Sequence, residues 1–166
     1  MEIFDNFIDD LSHKAIEETL LGANFPWYFN NNKVGRKYQD HINNFQFTHA
    51  FYSEFSARSS YFSVIEPLLV KLNPSAIVRI KANLVPVTES IISYDLHNDF
   101  EFFDGLTAIY YVNSNNGHTF FEDGTIVNSV ANRLVVFPAN LKHSGTTCTD
   151  QKVRSVINFN YYIWKQ

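Results

Sequence analysis

The chain has 166 residues, 45% of them hydrophobic and 18% charged, which is the balance of a folded domain with a core and excludes a disordered chain. A net charge of -4 gives no general attraction for polyanions, so nucleic acid is not indicated as a partner. Cys148 is the only cysteine, which excludes an intramolecular disulfide and fits a reducing compartment.

The opening Met1-Glu2-Ile3-Phe4-Asp5 lacks the basic and then apolar pattern of a signal peptide. No apolar run approaches the roughly 20 residues of a membrane span. The expectation is a cytoplasmic protein with no membrane partner. Ser12 can cap a helix in which Ala15, Ile16, Thr19 and Leu20 recur at helical spacing, with Gly22 as its stop. The aromatic stretch from Phe25 to Phe55, with Trp27, Tyr28, Phe45, Phe47 and Phe51, reads either as extra strands or as a loop over a barrel mouth. A second helix is expected from near Ser60, with Phe62, Ile65, Leu68, Leu69 and Leu72 on one face, ending before Asn73-Pro74. Pro67 marks its first turn or a kink.

From Ile77 onward short β-rich runs alternate with turn residues. Strands are expected at Ile77 to Val85, Glu89 to Leu96, Leu106 to Val112, Thr119 to Phe121, Thr125 to Val127, Arg133 to Phe137 and Val153 to Trp164. Many short strands after a helical half predict a mainly β fold with supporting helices, a β-sandwich or jelly roll. We expect a single domain over 1–166, with 1–75 as a helical and aromatic support and 76–166 as the jelly-roll core.

The chemistry-bearing residues follow from period-two alternation. Ile91, Ser93, Asp95 and His97 share one face of the strand expected there, and Asp99 lies just past its end. His143 supplies a second imidazole. Two imidazoles and one carboxylate form the side-chain set of a facial iron(II) site, which leaves positions open for other ligands. Arg154, Val156, Asn158 and Asn160 share a face of the last strand. Arg154 is suited to a bidentate, charge-assisted pair with a carboxylate such as the 5-carboxylate of 2-oxoglutarate. Tyr111 can donate a hydroxyl to the same group, and Asn158 can bond substrate or cosubstrate or satisfy a buried backbone group. Lys81 and Asn83 share a face of the first clear strand, which reads equally as the cavity side or as a solvent face.

With those residues in place the chain resembles the 2-oxoglutarate/Fe(II)-dependent dioxygenases, whose motif is His-x-Asp…His…Arg. The segment Thr107-Ala108-Ile109-Tyr110-Tyr111-Val112-Asn113 is similar to the prolyl-hydroxylase-like branch. Asn132-Arg133-Leu134-Val135-Val136-Phe137-Pro138, Asn158-Phe159-Asn160-Tyr161 and Asn24-Phe25-Pro26-Trp27-Tyr28-Phe29 resemble small bacteriophage dioxygenases, so the likeness covers most of the chain. It implies a double-stranded β-helix, iron(II) on His97, Asp99 and His143, and 2-oxoglutarate and O₂ as cosubstrates. It further implies Arg154 and Tyr111 on the cosubstrate, with succinate and CO₂ as coproducts. The substrate would be a prolyl residue of a protein or a small metabolite, in the host cytoplasm if the gene is phage-borne. Many relatives carry Arg-x-Ser at the anchor. Here the triplet is Arg154-Ser155-Val156, which puts more weight on Tyr111. Retention of Asp99 favours hydroxylation over halogenation.

Other readings stand beside this one. A non-catalytic jelly-roll binding module could carry the histidines in an open cleft, and a cupin-like isomerase or lyase could use the same ligands with zinc or manganese. His13 and His41 read as solvated, His49 as packed or hydrogen-bonded, His118 as a surface turn, and Cys148 as no nucleophile.

Overall fold

The computed structural model describes residues 1–31, 33, 42–100 and 104–164. His41 lies outside them. Eleven strands and two helices follow one another in the order β1 (Glu2–Phe4), α1 (Asp10–Leu20), β2 (Tyr28–Asn30), β3 (Gln46–Ser53), β4 (Ser56–Ala57), α2 (Glu66–Leu72), β5 (Ala76–Pro86), β6 (Leu106–Tyr111), β7 (His118–Phe121), β8 (Ile126–Asn128), β9 (Arg133–Pro138), β10 (His143–Gly145) and β11 (Val153–Tyr162). They form two antiparallel sheets. The larger runs β1-β9-β6-β11-β5-β3-β2, with β4 on β3, and the smaller runs β10-β7-β8. The architecture is a mainly β jelly roll buttressed by helices.

The helices cover the outer face of the large sheet. Asp9, and not Ser12, caps α1: its carboxylate accepts from the Ser12 amide at 3.0 Å, so the helix starts one turn earlier than expected. Ile16 and Leu20 are fully buried against Phe51, Ile80, Tyr110 and Ile157, each contributing roughly 1.5–3 kcal/mol. At the exit, a Cβ on Gly22 would meet the Glu18 carbonyl at 2.7 Å, so only glycine fits the stop. The second helix is shorter than its periodicity indicates. A 3-10 turn over Phe62–Ile65 leads into α2, and Pro67 sits in the first turn, where its missing N–H is no loss. Asn73, at φ 46°, closes α2 in the left-handed region that asparagine tolerates.

The aromatic stretch resolves in favour of strands: β2, β3 and β4 extend the large sheet beyond β5. One expected strand does not form. Between Glu89 and Leu96 no ladder is present, only an isolated bridge of Ser93 to Thr146. Hydroxyls take the ladder's place: Thr147 Oγ1 accepts from the Ile92 amide at 2.8 Å, and the Thr88 hydroxyl bonds both the Ser90 carbonyl and Thr147 Oγ1. The Thr88–Ser90 bond is local, and side-chain bonds of that kind compete with strand pairing. A second apolar cluster, built on Ile109, Tyr111, Phe121, Val135, Phe137 and Val156, lies between the two sheets and supports the floor of a cavity. Among the described residues no helix is long and apolar enough to cross a membrane.

Candidate metal centre

The register of β5 on β11 builds one wall of that cavity as a ladder of inward pairs: Arg154 opposite Val85, Val156 opposite Asn83, Asn158 opposite Lys81, and Asn160 opposite Arg79. All but Asn160 line the cavity directly. Lys81 and Asn83 therefore take the cavity side, and the alternation that groups them also includes Arg79.

The opposite wall carries His97, Asp99 and His143. One nitrogen or oxygen from each lies within 4.8 Å of the others. Their placement begins with the backbone. His97 and His143 form an isolated antiparallel bridge in which each amide donates to the other's carbonyl, at 3.0 and 3.1 Å. Their rings are 5.1 Å apart between centroids. His97 Nδ1 lies 3.2 Å from the Asp95 carbonyl, a bond that requires the proton on Nδ1 and leaves Nε2 as a lone-pair donor. His143 packs against Phe137 at 4.8 Å. Burial pushes it down to about 4, with Asp99 pulling the other way, so its imidazole is neutral at pH 7.

Asp99 is fixed from two sides. Arg79 Nη2 stands 3.1 Å from Oδ1, and Asn160 Nδ2 donates to Oδ2 at 2.9 Å. Burial would raise this carboxyl, but Arg79, His143 and the Asn160 bond together hold it below its usual value. Each carboxylate oxygen keeps a further lone pair. The donor set is thus two imidazoles and one carboxylate, and His143 Nδ1 is buried without a hydrogen-bond partner among the described residues. These residues fit a divalent iron, zinc or manganese ion.

Arg154 stands at the first rung, 4% exposed. Its Nε donates to Ser129 Oγ at 2.9 Å and its Nη2 to Thr119 Oγ1 at 3.0 Å. Nη1 has no bond to any described residue. No carboxylate pairs with this guanidinium among the described residues, and burial disfavours its charge. Glycine shapes the space around it: a Cβ on Gly145 would lie 3.1 Å from Nη1, and one on Gly117 would lie 2.8 Å from Cδ. Tyr111 is fully buried one layer behind. Its ring faces the guanidinium at 5.7 Å, and its hydroxyl donates to Thr119 Oγ1 at 2.9 Å, so it reaches the cavity through Thr119. Asn158 lines the cavity with Oδ1 buried and unpartnered among the described residues.

Other histidines stand outside this group. His49 is hydrogen-bonded to the Pro26 carbonyl and to Ser59 Oγ, as its packed surroundings lead one to expect. His13 is half-buried on the Tyr110 hydroxyl at 2.7 Å, where a solvated residue is expected. His118 opens β7 and does not line the cavity.

No protein-family model matches the sequence, and no curated protein matches it at a significant level. Solved structures do match in shape. A prolyl hydroxylase from Trichoplax adhaerens, solved with a hypoxia inducible factor oxygen degradation domain peptide, superposes with a TM-score of 0.69 at 13% identity, over 97% of this chain and 82% of that one. The fold is similar to that of this prolyl hydroxylase. A prolyl-4-hydroxylase from Pseudomonas putida matches at 0.58 and 18% identity, over 98% and 92% of the two chains. The alpha-ketoglutarate-dependent epimerase SnoN from nogalamycin biosynthesis matches at 0.66 and 13%, over 96% and 77%. At these identities the likeness is one of fold, shared by enzymes of different outcome.

The sequence assigned no role to four contributors. Arg79 and Asn160, which hold Asp99, have the parity of Lys81 and of Arg154 respectively, so alternation carried the signal. Thr119 and Ser129, which orient Arg154, sit in unremarkable polar positions with no motif.

Proposed function

We propose that the protein is a 2-oxoglutarate-dependent iron(II) oxygenase that hydroxylates an organic substrate. One observation carries the reading: a two-histidine, one-carboxylate cluster shares a cavity with a buried arginine that has no carboxylate partner among the described residues. A buried unpaired cation is strongly unfavourable unless an anion completes it, and a non-catalytic scaffold has no use for one beside two imidazoles.

In this reading His97, Asp99 and His143 hold the metal, with Asn160 and Arg79 orienting the carboxylate. Arg154 would receive the 5-carboxylate of 2-oxoglutarate, Thr119 stands beside the guanidinium, and Tyr111 holds Thr119. The apolar floor of Ile109 and Val156 keeps water from the cosubstrate's carbon chain. Bound iron(II) would supply the redox chemistry of R–H + O₂ + 2-oxoglutarate → R–OH + succinate + CO₂, in which one oxygen atom enters the product and one enters succinate. The substrate is a prolyl residue of a protein or a small metabolite.

Anaerobic addition of iron(II) and 2-oxoglutarate tests the assignment. The expected result is a weak visible charge-transfer band, absent from His97→Ala and Asp99→Ala proteins. No band in the wild-type protein sinks the proposal. Under air, slow succinate release without added substrate is the second expected sign.

A further inference from the structure

The cavity holds more positive charge than the cosubstrate can use. Among the described residues that line it, four cations (Lys33, Arg79, Lys81 and Arg154) stand against one carboxylate, Asp99, an excess of three. Burial, with Arg154 nearby, holds Lys33 well below its ordinary range. With the Lys33 charge discounted the excess is still two; burial and Arg79 lower Lys81 as well, a smaller shift that Asp99 opposes. If the site fills as proposed above, the dication and the dianionic 2-oxoglutarate cancel, and that excess remains for another molecule to meet. A field of one sign in a walled cleft concentrates ligands of the other sign.

The surplus has an address. Arg79 is paired with Asp99, and Arg154 is the cosubstrate's anchor. Lys81 has neither a hydrogen bond nor an ion pair among the described residues. It stands on the third rung, directly opposite Asn158 and beside the Asn160–Arg79 rung that grips Asp99. Four residues along β11 separate that rung from Arg154's, about 13 Å of strand, so the two cations sit toward different ends of the wall. Asn158 likewise makes no side-chain hydrogen bond among the described residues: its Nδ2 is a free donor, while its buried Oδ1 calls for a donor of its own. A half-buried ammonium and an amide N–H₂, neither with an acceptor among the described residues, thus stand side by side on adjacent strands beside the metal ligands.

We infer that the substrate to be oxidised carries an oxyanionic group, a carboxylate or a phosphate, which the Lys81 ammonium receives next to the metal centre, with Asn158 Nδ2 as the second donor. This rests on the oxygenase reading and narrows it. A neutral prolyl residue inside a peptide chain would leave Lys81 unanswered, whereas a small organic acid or phosphate ester would neutralise it through a charge-assisted bond. The group binds and orients. It takes no part in the electron balance given above.

The test needs no turnover. Protein loaded with zinc(II), which has no redox chemistry, and saturated with 2-oxoglutarate is titrated with propionate, with glycerol 2-phosphate and with N-acetylproline amide. The backbone amide NMR signals of Ala50 and Asn158, which flank Lys81 in the sheet, are followed. The expected result is that propionate or glycerol phosphate shifts these signals, with affinity at least tenfold weaker in Lys81→Met and retained in Lys81→Arg. Which of the two binds identifies the group as carboxylate or phosphate. Binding of the blocked proline amide should be unchanged by Lys81→Met. The inference is overturned if neither anion shifts the signals, if Lys81→Met binds them equally, or if Lys81→Met weakens 2-oxoglutarate instead. Wild-type protein that binds no 2-oxoglutarate would refute the oxygenase reading and this inference together. Binding of 2-oxoglutarate without either anion would refute this inference alone.

Discussion

Replacing Arg154 with methionine should move stability and cosubstrate affinity in opposite directions. Arg154 is buried, donates to two hydroxyls and has no carboxylate counterpart among the described residues. An apolar side chain of similar length removes the desolvated charge and fills most of its volume, so the ligand-free protein should be as stable as wild type or more so. Two acceptors, Ser129 Oγ and Thr119 Oγ1, lose a donor, which offsets part of that gain. For 2-oxoglutarate the change would remove a charge-assisted pair in a buried place, where losing one partner costs about 3–5 kcal/mol, or roughly 10²–10⁴-fold in Kd. Thermal unfolding of the metal-loaded protein reads both effects. At 100 times its Kd the ligand should stabilise wild type by about 2.7 kcal/mol, or roughly 5–11 °C for a domain of this size. The variant should start at the same Tm or higher and show no shift at that concentration. A variant that starts several degrees lower and still shifts with 2-oxoglutarate would mean that Arg154 is a structural cation, and the argument from its missing partner would fail.

Further outcomes follow from the same geometry. Asn160→Ala and Arg79→Met should each weaken metal affinity about 10–100-fold without altering the fold, measured by competition with a chromophoric chelator, because each frees one oxygen of Asp99. Gly145→Ala should push the Arg154 guanidinium aside, since the new methyl would stand 3.1 Å from Nη1, and should raise the Kd for 2-oxoglutarate severalfold while Tm stays close to wild type. Tyr111→Phe removes the donor to Thr119 and keeps the ring, so a loss of about 0.5–1.5 kcal/mol in cosubstrate binding is expected, and an unchanged titration would remove Tyr111 from the anchor.

Period-two parity was the part of the sequence that carried furthest. On β11 it put Arg154, Val156 and Asn158 on one face, and on β5 it put Lys81 with Asn83; the cavity is lined by all five. The grouping of His97, Asp99 and His143 was legible because the residue types are rare together, and the structure brings them within 4.8 Å. The strand invoked to deliver His97 was not there. Thr88 and Thr147 bond the backbone from Ser90 to Ile92 themselves, and a single bridge to His143 does the positioning. Propensity cannot see such a bond, because its partner lies far along the chain. Lys33, which reaches the cavity from the N-terminal half, and the Asp9 cap of α1 were missed for related reasons. One depends on tertiary packing, the other on which of two nearby polar residues wins the free amides.

The backbone bridge between His97 and His143 has a consequence for the order of events in the life of the molecule. Because each residue's amide holds the other's carbonyl, the spacing of the two imidazoles is settled when the chain folds and does not wait for an ion to gather them. An unloaded pool of protein should therefore be folded and ready, able to take up metal quickly and to give it up again without unravelling. Output from such a pool would follow the supply of metal, with no new synthesis required.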